Sequence, residues 1–136
     1  MIMKKIKISE KTKNLQKNLK INNDEIILNI HSTRNNTIII FSTINGKILF
    51  WSSGGRVGFK NSKKKTAFAS QLSLETLLKK NNILYKRKIH VILKGKGPGR
   101  EPAIRVILKS KLKIKSFKEI TAIPFNGCRL PKLRRL

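Results

Sequence analysis

From Ile26 to Leu74 the chain has no acidic residue, and from Thr76 to Arg100 it has none again. The first stretch carries Arg34, Lys47, Arg56, Lys60, Lys63, Lys64 and Lys65, and the second carries eight basic residues. A fold built from such segments must leave many cations without an internal carboxylate. Over all 136 residues, 32 Lys+Arg face 6 Asp+Glu, which gives a formal charge of +26 and a pI of about 11.1. Self-repulsion on that scale opposes compaction unless a polyanion neutralises it. Yet 39% of the residues are hydrophobic, too many for a disordered basic tail. These facts together predict a folded nucleic-acid binder. The competing reading, a basic face that is only solvated, fits such long acid-free stretches poorly.

Other classes drop out on composition. One cysteine excludes a disulfide framework and a cysteine zinc site. No apolar run reaches the 18 residues that a membrane-crossing helix requires, so no membrane partner is expected. Six acids and two histidines leave little material for acid–base chemistry, so we expect no enzyme, metal, cofactor or small-molecule substrate. His31 and His90 each sit in an apparent strand without a neighbouring carboxylate, which predicts packed or half-exposed side chains. Cys128 beside Arg129 has the surroundings of a low-pKa thiol. It lacks a histidine partner in sequence, so a structural or RNA-adjacent thiol is the better reading.

Residues 1–24 read as a basic arm that orders against a polyanion. No apolar core of a secretory signal is present there. The folded domain is expected over 25–123. Glu25–Ser32, Thr37–Ser42 and Lys47–Ser52 are β-branched apolar runs, the last two joined through Asn45-Gly46, a hairpin signal. Residues 53–65 form a Gly-rich basic loop. Trp51 and Phe59 flank it; they could stack on bases, but anchoring the loop to the core is the simpler expectation. Thr66 can cap a helix over 67–80, whose apolar residues recur at helical spacing. Lys88–Lys94 reads as a fourth strand. Glu101-Pro102 opens a second helix, and Lys113–Ile123 alternates as a fifth strand. Residues 124–136, with two prolines and four cations, read as a basic tail. The order β-β-β-α-β-α-β predicts an α/β domain with a mixed sheet.

Both glycine loops fail the spacing tests for nucleotide binding. Gly95-Lys-Gly-Pro-Gly-Arg-Glu lacks the Lys-Ser/Thr of a P-loop. The dinucleotide fingerprint would need glycine where Arg100 stands. Two readings of that turn remain equally open. It is either a phosphate clamp, with Gly97 or Gly99 against RNA backbone and Arg100 on phosphate, or an ordinary strand-to-helix turn. An ion pair between Arg100 and Glu101 or Glu119 would decide against the clamp. Asn126-Gly127 is a turn and, chemically, a candidate for slow deamidation.

Four segments in this order resemble the universal small-subunit ribosomal protein eleven family, in its bacterial and organellar form. They are Asn35-Asn36-Thr37 before an apolar strand; Trp51-Ser-Ser-Gly-Gly-Arg-Val-Gly58-Phe59-Lys60-Asn-Ser62-Lys63-Lys64-Lys-Thr66; Lys94-Gly-Lys-Gly-Pro-Gly-Arg-Glu101; and Thr121-Ala-Ile-Pro-Phe-Asn126-Gly-Cys-Arg-Leu-Pro-Lys-Leu-Arg-Arg135. The resemblance covers roughly residues 25–136. Lys96 and Ala67 stand where the family has proline, Asn61 where it has glycine, Phe125 where it usually has histidine, and Ala122 where it has proline.

The resemblance implies a three-layer α/β/α fold with a mixed five-stranded sheet, similar to the ribonuclease-H-like motif. It implies a structural protein of the small ribosomal subunit that binds small-subunit rRNA and helps form the platform near the mRNA exit. Neighbouring small-subunit proteins, and mRNA near the exit, would be its other partners. The RNA-binding residues would be Arg34, Asn35 and Asn36; Gly54, Gly55, Arg56, Gly58, Phe59, Lys60, Ser62, Lys63, Lys64 and Lys65; Lys94, Lys96, Gly97, Gly99 and Arg100; and Asn126, Gly127, Arg129, Lys132, Arg134 and Arg135.

Two rivals come from other classes. A ribonuclease-H-like nuclease would need clustered carboxylates for Mg²⁺, and Glu75, Glu101 and Glu119 fall in different elements. A histone-like DNA-binding protein would be largely helical. For location, 24 Lys, 20 Ile and 12 Asn are all residues with A/T-rich codons. Arg34 before Asn35-Asn36-Thr37 and Leu130 after Arg129 resemble mitochondrial members of the family, and with that bias they favour a mitochondrial matrix ribosome, then a plastid, then the cytoplasm of a reduced-genome bacterium.

Overall fold

The computed structural model describes residues 25–129. The basic arm 1–24 and residues 130–136 lie outside the described residues. Strands β1 (Glu25–Ser32), β2 (Thr37–Thr43) and β3 (Ile48–Ser53) precede helix α1 (Ala67–Lys80). Strand β4 (Lys88–Lys94), helix α2 (Arg100–Lys109) and strand β5 (Lys113–Glu119) follow. Short 3-10 turns occupy Asn61–Lys65 and Asn82–Lys86. The expected order of elements is the observed one. The fifth strand is shorter than its alternation suggested: its pairing ends at Glu119, and the chain then leaves the sheet.

The sheet runs β3-β2-β1-β4-β5, antiparallel among the first three strands in chain order and parallel from β1 through β4 to β5. Asn45-Gly46 makes the hairpin because Gly46 takes φ +81, where a side chain would be strained. Strand β1 is central and alternates half-buried and buried residues along its whole length. Its buried residues Ile26, Leu28 and Ile30 sit beside Ile39 and Phe41 on one flank and Ile89, Val91 and Leu93 on the other. Leu74, Leu77 and Leu78 of α1 and Ala103, Val106 and Ile107 of α2 close over them. Each fully buried Ile or Leu stabilises the fold by about 1.5–3 kcal/mol relative to exposure.

Both helices pack on each other and on this one face. The described residues therefore form two layers, and none of them supplies a second helical layer. The opposite face holds Ile27, Asn29, His31, Ile38, Ile40, His90 and Ile92, all half-buried. Strand β5 lies beyond the helices and is exposed throughout, with Phe117 at 53%. Lys113, Lys115 and Lys118 stud this outer edge and disfavour pairing with another copy of the chain.

Helix α1 begins as its sequence predicts, with the Thr66 hydroxyl accepting from the Ala69 N–H at 3.3 Å. Phe68, in the apolar series of that helix, instead lies 61% exposed. Its ring meets Phe59 edge-on, with centroids 6.0 Å apart. Phe59 thus braces the loop against α1 rather than against the buried core.

Candidate nucleic-acid interface

Parallel β1, β4 and β5 all end at one edge of the sheet, and antiparallel β2 begins there as β3 ends there. This topology brings four separated segments together: the turn at Arg34–Asn36, the loop after Ser53, the turn after Lys94 and the chain after Glu119. Direct bonds join them. The Gly54 N–H donates to the Thr37 carbonyl at 3.4 Å, the Gly97 N–H to the Ser32 carbonyl at 3.1 Å, and the Gly95 N–H to the Thr121 hydroxyl at 3.1 Å. Ligand sites of open α/β sheets gather outside the carboxyl ends of parallel strands for the same topological reason.

The loop after Ser53 is held by its own backbone. The Arg56 N–H donates to the Ser53 carbonyl at 3.0 Å and the Phe59 N–H to the Gly54 carbonyl at 3.2 Å. Gly54 is buried, and a Cβ there would stand 2.8 Å from the Lys64 carbonyl oxygen. The loop consequently folds back on the 3-10 turn, and Gly55, Arg56, Gly58, Lys60, Ser62, Lys63 and Lys65 are exposed. Lys64 is half-buried, its stem lying beside Gly55. Asn61, where the resembling family has glycine, takes φ +47, a conformation asparagine tolerates better than most residues. Arg34 and Asn35 are exposed nearby, as are Lys94 and Lys96. Among the described residues, no ion pair involves any of these cations. Asn36 instead fixes the turn, because its side-chain oxygen accepts from the Thr37 N–H at 3.0 Å.

The second glycine turn corrects the clamp reading. Gly97 and Gly99 are buried within the protein and do not face outward. A Cβ on Gly97 would stand 2.2 Å from the Thr33 carbonyl oxygen, and one on Gly99 would stand 2.0 Å from the Thr37 hydroxyl. The close approach that glycine permits is made to the chain's own β1–β2 turn. The Ser70 hydroxyl, buried in α1, donates to the Gly99 carbonyl at 2.6 Å and ties the turn to the helix. Arg100 is not an open phosphate fork. It forms a two-pronged pair with Glu119, Nη1 to Oε1 at 2.5 Å and Nη2 to Oε2 at 2.7 Å. This pair locks the start of α2 to the end of β5. The Arg100 guanidinium, with the Thr121 hydroxyl second, holds the Glu119 carboxyl down to about 2.

At the opposite end of the sheet a second network corrects the view of His90 as isolated from carboxylates. Glu25 Oε2 lies 3.1 Å from His90 Nε2, the Ser116 hydroxyl lies 2.6 Å from His90 Nδ1, and Lys115 donates to Glu25 Oε1 at 2.6 Å. Lys115 first, then His90, holds the Glu25 carboxyl below its ordinary range. These side chains cross-link β1, β4 and β5 at their starts. Glu101 pairs with Arg105 on α2. No group of three His, Cys, Asp or Glu able to hold a metal ion occurs among the described residues. Trp51 is 48% exposed on the face away from the helices, so it does not anchor its loop in the core. Asn126, Gly127, Cys128 and Arg129 are exposed. Lys132, Arg134 and Arg135 lie outside the described residues.

The sequence reading named Glu119 as one of two alternative partners of Arg100, and it missed Thr121, Ser70 and Glu25 as partners of the site and the sheet. The partners of these four lie 19 to 90 residues away in sequence, so no local pattern announces them.

Comparison with known proteins places the chain in a family. The family profile described as Ribosomal protein S11 matches residues 26–135. A small ribosomal subunit protein uS11c from Cyanidium caldarium is 44% identical over 127 residues, spanning 93% of this chain and 98% of that protein. The small ribosomal subunit protein uS11 of Thermotoga maritima is 43% identical over 121 residues, spanning 89% and 93%. That of Coprothermobacter proteolyticus is 50% identical over 111 residues, spanning 81% and 88%. With a profile match across nearly the whole described domain and relatives of this similarity, the chain belongs to the ribosomal protein S11 family, of the bacterial and organellar type.

Proposed function

We propose that this small-subunit ribosomal protein binds small-subunit rRNA through the carboxyl end of its sheet. The observation that carries the reading is the convergence of four segments there, with Arg34, Arg56, Lys60, Lys63, Lys65, Lys94 and Lys96 exposed and free of ion pairs among the described residues. Cations so placed neutralise phosphates and release counterions. Contacts of this kind position the protein; specificity comes from the shape of folded RNA and its unpaired segments. The Gly-rich loop supplies the contacts. The GKGPGR turn and the Arg100–Glu119 pair supply the rigid base from which the loop projects. The exposed Arg129 adds to the basic surface, and the seven lysines of residues 1–24 with Lys132, Arg134 and Arg135 are further candidates for phosphate contacts by their charge.

The finer assignments rest on the family and on composition. They are a place on the platform near the mRNA exit, with neighbouring small-subunit proteins and mRNA as further contacts, and the domain limits 25–123. The relatives belong to plastid and bacterial ribosomes, which supports an organellar or bacterial ribosome. The choice of a mitochondrial ribosome over a plastid one rests on Arg34 and Leu130 with the A/T-rich composition, and the plastid and bacterial relatives give it no support. A nuclease role has no support from the carboxylates, since Glu25, Glu101 and Glu119 are each engaged by a cation. Sucrose-gradient sedimentation of extracts from isolated organelles tests the function. The protein should travel with the small subunit, and a free or DNA-associated protein would overturn the proposal.

A further inference from the structure

One exposed pair in the Gly-rich loop is built unlike its neighbours. The guanidinium carbon of Arg56 sits 4.2 Å from the centre of the Trp51 ring. Its Nη1 donates to the Trp51 carbonyl at 3.3 Å, and its backbone N–H is held by both the carbonyl and the hydroxyl of Ser53, the latter at 3.3 Å. Backbone and head group are both fixed, whereas Lys60, Lys63 and Lys65 have no hydrogen bond from their ammonium groups among the described residues. Trp51 pairs across with Ile40, which places it on the sheet face that carries no helix. Arg56 is exposed, and no ion pair among the described residues uses it.

We propose that Arg56, stacked on Trp51, is a seat for one unpaired RNA base. The guanidinium carbon lies over the indole and the residue is exposed, so the cation is held at the ring with a side left open to solvent. A flat π-system stacks on such a cation plane. A carboxylate would approach the guanidinium edge, where Nη1 already serves the Trp51 carbonyl. Bases within a duplex are covered by their neighbours, so the occupant is a bulged, looped or single-stranded nucleotide. The surrounding acid-free cations meet its flanking phosphates. Every base has a π-face, so the seat tolerates sequence and selects for an unstacked base. This inference rests on the RNA-binding reading above and names the kind of nucleotide that one part of the surface takes.

Trp51 is the only tryptophan in the chain, so its emission reports on this seat alone. The experiment titrates the full-length protein with oligoadenylate RNA, a fully paired RNA duplex of equal charge, and inorganic polyphosphate. Anisotropy of labelled ligand or competitor follows binding independently. All three polyanions should bind, and only oligoadenylate should quench Trp51 strongly. R56K keeps the charge and removes the plane. It should lose most of the quench and weaken oligoadenylate binding about tenfold, while polyphosphate binding stays within twofold. Far-UV circular dichroism confirms that R56K is folded, and W51F should show the same loss of oligoadenylate affinity. Equal quenching by all three ligands, or an R56K protein that binds and quenches like the parent, overturns the seat and leaves the RNA-binding reading standing. Failure of every RNA to bind overturns both.

Discussion

The two glycine-rich loops stand side by side at the same end of the sheet and do opposite things. The loop after Ser53 turns its cations outward, and at Gly55 and Gly58 its chain borders open space or a flexible lysine stem. The GKGPGR turn faces inward, with Gly97 and Gly99 pressed on the β1–β2 turn and Arg100 locked to Glu119. Both carry glycine and basic residues, so composition cannot separate them. The difference lies in what each backbone touches. In the proposed function one loop is the contact surface, and the other fixes its position. A motif that looks like a ligand cradle is here a joint between β4, α2, α1 and β1.

Breaking this contrast should have its largest effect in the turn. In Gly97→Ala the new methyl would stand 2.2 Å from the Thr33 carbonyl oxygen, a backbone atom of the β1–β2 turn, so that turn must shift to admit it. We expect destabilisation of about 3 kcal/mol, the upper end for overpacking. Gly55→Ala, whose methyl would meet only the flexible Lys64 stem at 3.4 Å, should stay within about 0.5 kcal/mol. Urea denaturation compares the two, and equal losses would mean that the turn is not the tighter joint.

RNA binding should show the reverse order. Replacing Lys60, Lys63 and Lys65 together by Gln removes three exposed cations from the open loop. The slope of log K against log salt should fall by about 2–3, from roughly 0.7–0.9 per phosphate, with urea stability unchanged. An unaltered slope would take the loop out of the interface.

A smaller effect concerns the Arg100–Glu119 pair. The folded carboxyl of Glu119 is depressed from 4.5 to about 2. The stability it contributes is therefore present above about pH 4.5 and is lost as pH falls through about 2. In Glu119→Gln that part of the acid-side loss should vanish, and the stability curves of parent and variant should converge toward pH 2. Curves that stay parallel from pH 6 to pH 2 would show that the pair does not brace the turn. Solvent screens this half-exposed carboxylate, so the effect should be the least of the three.

Much of the architecture was legible because local signals agreed. β-branched runs marked β1, β2 and β4, Asn45-Gly46 marked the hairpin, and Thr66 marked the start of α1. The layering was not legible, since helical spacing shows that α1 and α2 have an apolar face but not which side of the sheet receives it. The end of β5 was overrun because the alternation continues to Ile123, while pairing stops where Thr121 turns its hydroxyl to the Gly95 N–H. The cations of the loop could be read from charge alone. The inward turn could not, because Glu119, Ser70 and Thr33 come from three other elements.

The central claim is that RNA meets the carboxyl end of the sheet and leaves the opposite end free. Lysine acetylation footprinting of the chain, alone and bound to a small-subunit rRNA fragment, tests it most directly. Exposed lysines stand at both ends: Lys60, Lys63, Lys65, Lys94 and Lys96 at one, and Lys47, Lys86, Lys88 and Lys113 at the other. The account predicts protection of the first set on binding and unchanged modification of the second. Protection of Lys47, Lys86, Lys88 and Lys113, with the loop lysines still reactive, would contradict it.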